Sequence, residues 1–244
     1  SGGAIVFTGG NNTYSGAITL GATSTIISSS GAQTISATVD GGQALTITAN
    51  GNLIISGAVG GSTDLSSYAV TTTGSASQTF SANVETTGNQ TYTAAGGIVT
   101  SGAITFDSSG GTVNFASALS GDNNVTVTGN ADIDGAVTSI AVLSVSGTSN
   151  IGANVTTTGT QTYSGAVTLS GGARTLQGTT ITTVAVDGGA ADLTITGILD
   201  LDGAITNTAD FSVSGASNLG ANVTTTGTQL YVGNLVLSAA DRTL

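Results

Sequence analysis

The chain has no cysteine, proline, methionine, tryptophan, histidine or lysine among its 244 residues. Without cysteine there is no disulfide framework, no thiolate metal site and no cysteine nucleophile, and the absence is compatible with export through a membrane in the unfolded state. Without histidine, cysteine or lysine, the groups left for proton transfer or covalent attack are carboxylates, hydroxyls and two arginines, Arg174 and Arg242. That inventory is too thin for ordinary general acid–base or nucleophilic chemistry, and no enzyme is expected. The net charge of −11 argues against nucleic acid, which needs clustered cations to neutralise phosphates, and against an anionic membrane surface. No apolar run approaches the length that a membrane helix needs, so none is expected, and the first residues read as repeat text, with no signal peptide. Aromatic residues are 4% of the chain and show no banding of the kind that girdles a membrane barrel.

What remains is a restricted alphabet. Charged residues are 6%, against roughly 25% in ordinary soluble domains. Glycine contributes 38 residues, about twice its usual share of roughly 7%. The bulk is Thr, Ser, Ala, Val, Ile and Leu, with Asn and Asp. β-Branched residues suit a pleated, half-buried surface. Gly, Asn and Asp tolerate positive φ and suit tight turns. Hydrophobic residues make up 39% of the chain and alternate with polar ones, which separates it from a disordered Gly/Ser/Thr segment. Period-2 alternation over about five residues, closed by glycine, reads as a short strand ending in a turn. This beat recurs at 125–129, 143–147, 184–188, 193–197 and 211–215, and a second beat, Gly-Ala-(Ile or Val), begins at Gly16, Gly57, Gly102, Gly135, Gly165 and Gly203.

The beats belong to longer repeats. Residues 147–169, GTSNIGANVTTTGTQTYSGAVTL, recur as GASNLGANVTTTGTQLYVGNLVL at 215–237, an offset of 68. The register extends upstream from 124–138 to 192–206 and downstream from Arg174-Thr175-Leu176 to Arg242-Thr243-Leu244. Looser copies at 82–92 and 4–20 carry Tyr92 and Tyr14. The marker tyrosines Tyr14, Tyr92, Tyr163 and Tyr231 therefore follow one another at intervals that shorten along the chain, and the early copies carry insertions. The units run roughly 4–81, 82–123, 124–191 and 192–244. Repeats of this kind, without larger core side chains or a period near 100, predict one continuous all-β solenoid of stacked parallel strands over 1–244, not a string of sandwich domains. A 68-residue unit fits three coils of about 23 or four of about 17. The former gives ten to eleven coils.

The repeat text TTTGTQTYSGAVTL (156–169) and its variants resembles the β-helical shafts of filamentous-haemagglutinin-like adhesins and related autotransporter-type repeat proteins of bacterial surfaces. The resemblance implies a right-handed parallel β-helix, secretion to the cell surface and a role in attachment or biofilm. Nothing in the chain matches the secretion domain of that family. The expected partners are the solenoid itself, end to end, and a host surface, neighbouring cell or polysaccharide. The chain is expected to be part of a longer one, with uncapped ends presenting adhesive strand edges. A filament or surface-layer subunit polymerising through those ends is the alternative.

Five features are candidates for chemistry. Asp132-Ile133-Asp134-Gly135 and Asp200-Leu201-Asp202-Gly203 would each place two carboxylates on one strand face, and stacking of the two pairs would suit Ca²⁺, a hard cation that takes six to eight oxygens. Solvated strand-end residues explain them more simply. Asp40-Gly41-Gly42 and Asp187-Gly188-Gly189 read as turns. The recurrent Gln-x-Tyr (Gln90/Tyr92, Gln161/Tyr163, Gln229/Tyr231) is either an outward strip for sugars or, the preferred reading, a corner packing with the hydroxyl at the rim. The Thr156–Thr158 and Thr224–Thr226 runs would form an ice-binding ladder only if threonine recurred on every coil. Arg174 and Arg242 are expected to bridge carboxylates of adjacent coils.

Overall fold

The computed structural model describes residues 3–238 and Thr243, and among these every regular element is a β-strand. Twenty-nine of the strands form one hydrogen-bonded ladder, and the remaining two, Ile18–Thr19 and Val39–Asp40, pair with each other. All the pairings are parallel, and each joins a strand to one lying a turn later in the chain. The fold is therefore a parallel β-solenoid, of about 12 turns. A spacing of roughly 4.8 Å per turn makes it about 58 Å long.

Each turn has three sides. In the second half they follow one another at six-residue intervals. Val125, Leu143 and Gln161 stack on the first face. Ala131, Ser149 and Val167 stack on the second, and Val137 and Val155 on the third. Within each strand the residues at the first and third positions point inward. The pattern buried–intermediate–buried repeats in Leu143–Val145, Ser149–Ile151 and Val155–Thr157. Period-2 alternation thus fills a tube with Val, Ile and Leu while Thr, Ser and Asn face out.

Turn length is not uniform. Asn150 bonds to Asp132, one turn before it, at a sequence separation of 18, whereas Ser77 bonds to Asn52, also one turn before it, at a separation of 25. The longer turns surround the largest side chains in the core. Tyr68, Phe80, Tyr92, Phe106 and Phe115 pack ring to ring at centroid separations of 5.1 to 6.0 Å. Turns that enclose several rings packed together need more backbone than those that enclose a single ring. The short turns of the second half are why the solenoid reaches about 12 turns, more than the longer coil length implies.

The repeat unit is neither three turns nor four. From Gln161 to Gln229 the chain passes eleven sides, beginning at Val167, Leu176, Ile181 and Val186 and closing at Ser217, Val223 and Gln229. Eleven sides are three and two-thirds turns, so each unit ends one face short of where it began. The marker tyrosines report this directly. Tyr14 is on the third face, Tyr92 on the second, Tyr163 on the first and Tyr231 on the third again.

The corners explain the recurrent Gly, Asn and Asp. Gly129, Gly147 and Gly165 stack at one corner, and a Cβ on Gly147 would come within 2.5 Å of the Gly129 carbonyl oxygen. Their counterparts one unit on, Gly197, Gly215 and Gly233, stack at the preceding corner, between the third and first faces. Asparagine side chains cap the backbone of the following turn: Asn83 Oδ1 accepts from Thr105 N at 2.9 Å, Asn154 Oδ1 from Thr175 N at 3.0 Å and Asn222 Oδ1 from Thr243 N at 3.1 Å. Each cap satisfies an N–H that the bend would otherwise leave without a partner.

Replacement of Gly147 by Ala is expected to lower stability by about 1–3 kcal/mol, the usual cost of forcing extra volume into a packed site. Thermal unfolding followed by circular dichroism checks it; an unchanged midpoint would show that the corner has slack.

Candidate functional site

The Asp-x-Asp pairs lie where strand alternation puts them, outside the core and side by side. Asp132 and Asp134 sit on the second face and Asp200 and Asp202 on the first, because the unit between them is three and two-thirds turns long. The two pairs therefore do not stack, which corrects the alignment expected from their spacing. Each is instead bonded to asparagines of adjacent turns. Asn114 Nδ2 donates to Asp132 Oδ2 at 2.8 Å and to Asp134 Oδ2 at 3.0 Å, and Asn150 Nδ2 donates to Asp132 Oδ1 at 2.8 Å. Asn218 Nδ2 donates to Asp200 Oδ1 at 2.8 Å. No group of three or more His, Cys, Asp or Glu side chains among the described residues is arranged to hold a metal ion.

The Asp-Gly-Gly segments are turns. Gly41 and Gly42 have φ of 129° and 66°, Gly189 has φ of 59°, and Asp187 Oδ1 accepts from Gly189 N at 3.0 Å. The threonine runs do not form one flat array, since Thr157 points inward, 4% exposed, between two outward threonines. Arg174 does not bridge carboxylates. Its guanidinium donates to the carbonyls of Ile151, Ala173 and Ser170, where the chain turns a corner. Arg242 lies outside the described residues.

The Gln-x-Tyr motif is neither an outward strip nor a corner with its hydroxyl at the rim. Both side chains point into the core, and Gln90, Tyr92, Gln161 and Tyr163 are completely buried. The tyrosine hydroxyl donates to the glutamine two residues before it: Tyr92 to Gln90 Oε1 at 2.7 Å, Tyr163 to Gln161 Oε1 at 2.9 Å and Tyr231 to Gln229 Oε1 at 2.9 Å. Gln161 Nε2 then reaches Val155 O at 3.2 Å on the preceding side, Thr157 Oγ1 at 3.4 Å, and Gln177 O at 2.7 Å one turn later. Gln90 repeats the pattern with Val84 O at 3.2 Å, Thr86 Oγ1 at 3.2 Å and Asp107 O at 2.6 Å. In both cases the later turn bulges at that corner, between Asp107 and Thr112 and between Gln177 and Thr180. The bulge frees a carbonyl and the glutamine amide takes it, so the motif clamps one side, the next side and the turn above. Burial drives the Tyr163 hydroxyl well above the usual phenol range, and that of Tyr231, at the open last turn, is pushed up to about 12.

One electrostatic feature has no signature in the sequence. Stacking brings Asp40, Glu85 and Asp107 onto the first face, with Asp64 in the neighbouring loop. Burial, and then the charges of Asp64, Asp107 and Asp40, raise the Glu85 carboxyl above its ordinary range; burial and Asp64 raise Asp107. Only the register of the longer turns brings these residues together. Asp187 and Asp210 are held below the ordinary range, Asp187 by Gly189 N and the Asn207 amide, Asp210 by Thr228 N and Oγ1.

These features define a repeat protein of the parallel β-solenoid class whose shared internal device is the Gln-x-Tyr clamp. No protein-family model matches the chain, and neither a curated protein nor a solved structure matches it.

Replacing Gln161 with Ala leaves the Val155 and Gln177 carbonyls and the Tyr163 hydroxyl without their partner, and is expected to cost about 3 kcal/mol or more. Denaturant titration of variant and parent checks this; a loss below about 1 kcal/mol would mean that water replaces the amide. The carboxylates make opposite contributions with pH. Raised folded-state pKa values at Glu85 and Asp107 mean that the native state binds these protons more tightly than the unfolded chain, so stability grows as pH falls from neutrality towards the ordinary carboxylate range. The lowered values at Asp187 and Asp210 give stability that is present at neutral pH and lost below that range. Glu85→Gln is therefore expected to raise the melting temperature at pH 7 and to flatten the gain between pH 7 and pH 5, measured by melting at fixed ionic strength.

Proposed function

We propose that the chain is a stiff structural shaft of an extracellular bacterial surface protein, serving attachment or contact between cells, with no catalytic role. The observation that carries this reading is the continuous parallel ladder. Every turn is hydrogen-bonded to the turns before and after it along the described length, so bending the rod means breaking bonds within the ladder. Three further features support it. The likeness of the repeat text to adhesin shafts implies surface location. The outer faces carry Thr, Ser, Asn and Asp, which keep a surface of low charge density and net negative sign hydrated. With two arginines and no lysine, the chain gives trypsin-like proteases almost no cleavage positions, and its backbone bonds leave few loose segments to others. Asp132 and Asp200, equivalent outward positions of successive units, fall on different faces, so a ligand would meet related surfaces from more than one side. Polysaccharide is the partner class that best suits a hydroxyl- and amide-rich surface of low charge density.

The test couples shape with attachment. Negative-stain electron microscopy of the purified chain is expected to show straight rods about 58 Å long, the length that stacked strand spacings give. Beads coated with the chain are expected to adhere to immobilised bacterial polysaccharide more than beads coated with an inert globular protein. Straight rods with no adhesion above the control would leave the shaft and remove its adhesive role. Compact particles would remove both.

A further inference from the structure

The clamps at Gln90 and Gln161 hold the same backbone bulge, but the two bulges carry different side chains. In each, the freed carbonyl is taken from inside the tube by the glutamine amide, Asp107 O at 2.6 Å and Gln177 O at 2.7 Å. The side chains of Asp107 and Gln177 therefore project outward from a fixed point of the backbone. Asp107 stacks between Glu85 below and Thr128 above, and Gln177 between Thr156 below and Thr196 above. One corner is acidic, and the other is built from an amide and hydroxyls alone.

The uncharged corner is also concave. An open groove of ≈ 570 Å³ lies between the third and first faces and crosses four successive turns, from Thr156 to Ser214. At the strand spacing that is about 14 Å along the axis. Gly178 and Gly197 form its floor, and a Cβ on Gly197 would collide with the Gly178 carbonyl oxygen, so this corner has no side chain to fill it. The polar atoms around the floor are available to a ligand. Among the described residues, the side chains of Thr156, Thr158, Gln177, Thr179 and Thr196 make no hydrogen bond within the chain. Ser214 Oγ accepts from Gly197 N at 3.1 Å and keeps its own O–H to donate. Beside the floor, Ile198 follows Gly197 and is 46% exposed, which adds an apolar contact at the rim.

We infer that this groove binds a stretch of uncharged polysaccharide laid along the solenoid axis. Sugar hydroxyls donate and accept at once. The groove meets them with hydroxyls that do the same on each turn it crosses, and with the Gln177 amide, which offers both a donor and an acceptor. The clamp beneath Gln177 holds the wall in place before the ligand arrives, so little ordering is needed on binding. The net charge of −11 works against an anionic polysaccharide. The corner at Glu85 and Asp107 is a poorer site for a sugar, because covering it would desolvate two carboxylates. The inference rests on the reading that the shaft meets polysaccharide, and it supplies the place on the chain and the charge class of the ligand.

The intact chain is titrated with two linear uncharged oligosaccharides, cellohexaose and maltohexaose, and followed by calorimetry and saturation-transfer NMR. Saturable binding of at least one is expected. Thr156→Glu/Gln177→Asp gives this corner the side chains that the fold already carries at Glu85 and Asp107, and is expected to weaken binding about tenfold or more. Thr196→Val removes one hydroxyl, keeps the shape, and is expected to weaken it about threefold; this variant decides the matter if the double one does not melt cooperatively. Thr79→Glu/Ser144→Asp adds the same charge at outward positions away from the groove, and is expected to bind as the parent does. Failure of the intact chain to bind either sugar, unchanged affinity in the groove variants, or an equal loss in the control pair would each overturn the groove. Coated beads that still adhere to polysaccharide in those cases would keep the adhesive reading and remove only this site, whereas loss of adhesion as well would remove both.

Discussion

The hydrogen-bond ladder between successive turns is the constraint from which the rest of this molecule follows. Each strand is a rung whose N–H and C=O groups are satisfied by the rungs on either side. Stacked positions must therefore hold side chains that tolerate a neighbour of the same kind about 4.8 Å away. Inside, that selects aliphatic columns such as Val125, Leu143 and Gln161, in which the one polar member is fully bonded. Outside, it selects residues that bond to their stacked neighbours, as Asn114, Asp132 and Asn150 do. At corners it selects glycine, because a Cβ on Gly147 would meet the backbone of the turn beside it.

A buried Gln and Tyr, as at Gln90/Tyr92 and Gln161/Tyr163, are costly unless each polar atom is paired. The clamp meets that condition by using the carbonyl exposed at a bulge in the next turn. Bulge and clamp are thus two parts of one device, and each fixes where the other falls. A slip of one residue would turn the glutamine outward and leave the bulge carbonyl unpaired. The device gives a chain of near-identical short strands a unique register, which aliphatic columns alone specify weakly.

The mismatch between a unit of eleven sides and a turn of three has consequences for the surface. A feature written once per unit appears on each face in succession and returns to the first face after three units. This is why Asp132 and Asp200, equivalent positions of consecutive units, face different directions, and why threonine-rich stretches do not merge into one uninterrupted array. Conversely, Asp40, Glu85 and Asp107 share no motif yet meet on one face. Surface chemistry on this fold is set by turn length, and the longest turns are those that enclose the aromatic core around Tyr92.

The sequence by itself determined that the chain is a parallel solenoid of short strands. Alternation, glycine at the ends of strands and the long internal repeat are local or periodic signals, and each states a requirement of the backbone. It also determined the residue types available for chemistry, which composition alone limits. Only the tertiary structure decided how many residues make a turn, because that number depends on the volume to be enclosed at each level. With it were decided which face each unit presents, which carboxylates are neighbours, and that Gln161 and Tyr163 point inward. An alternating segment has two sides, and the sequence does not state which side is the inside until the turns above and below are in place.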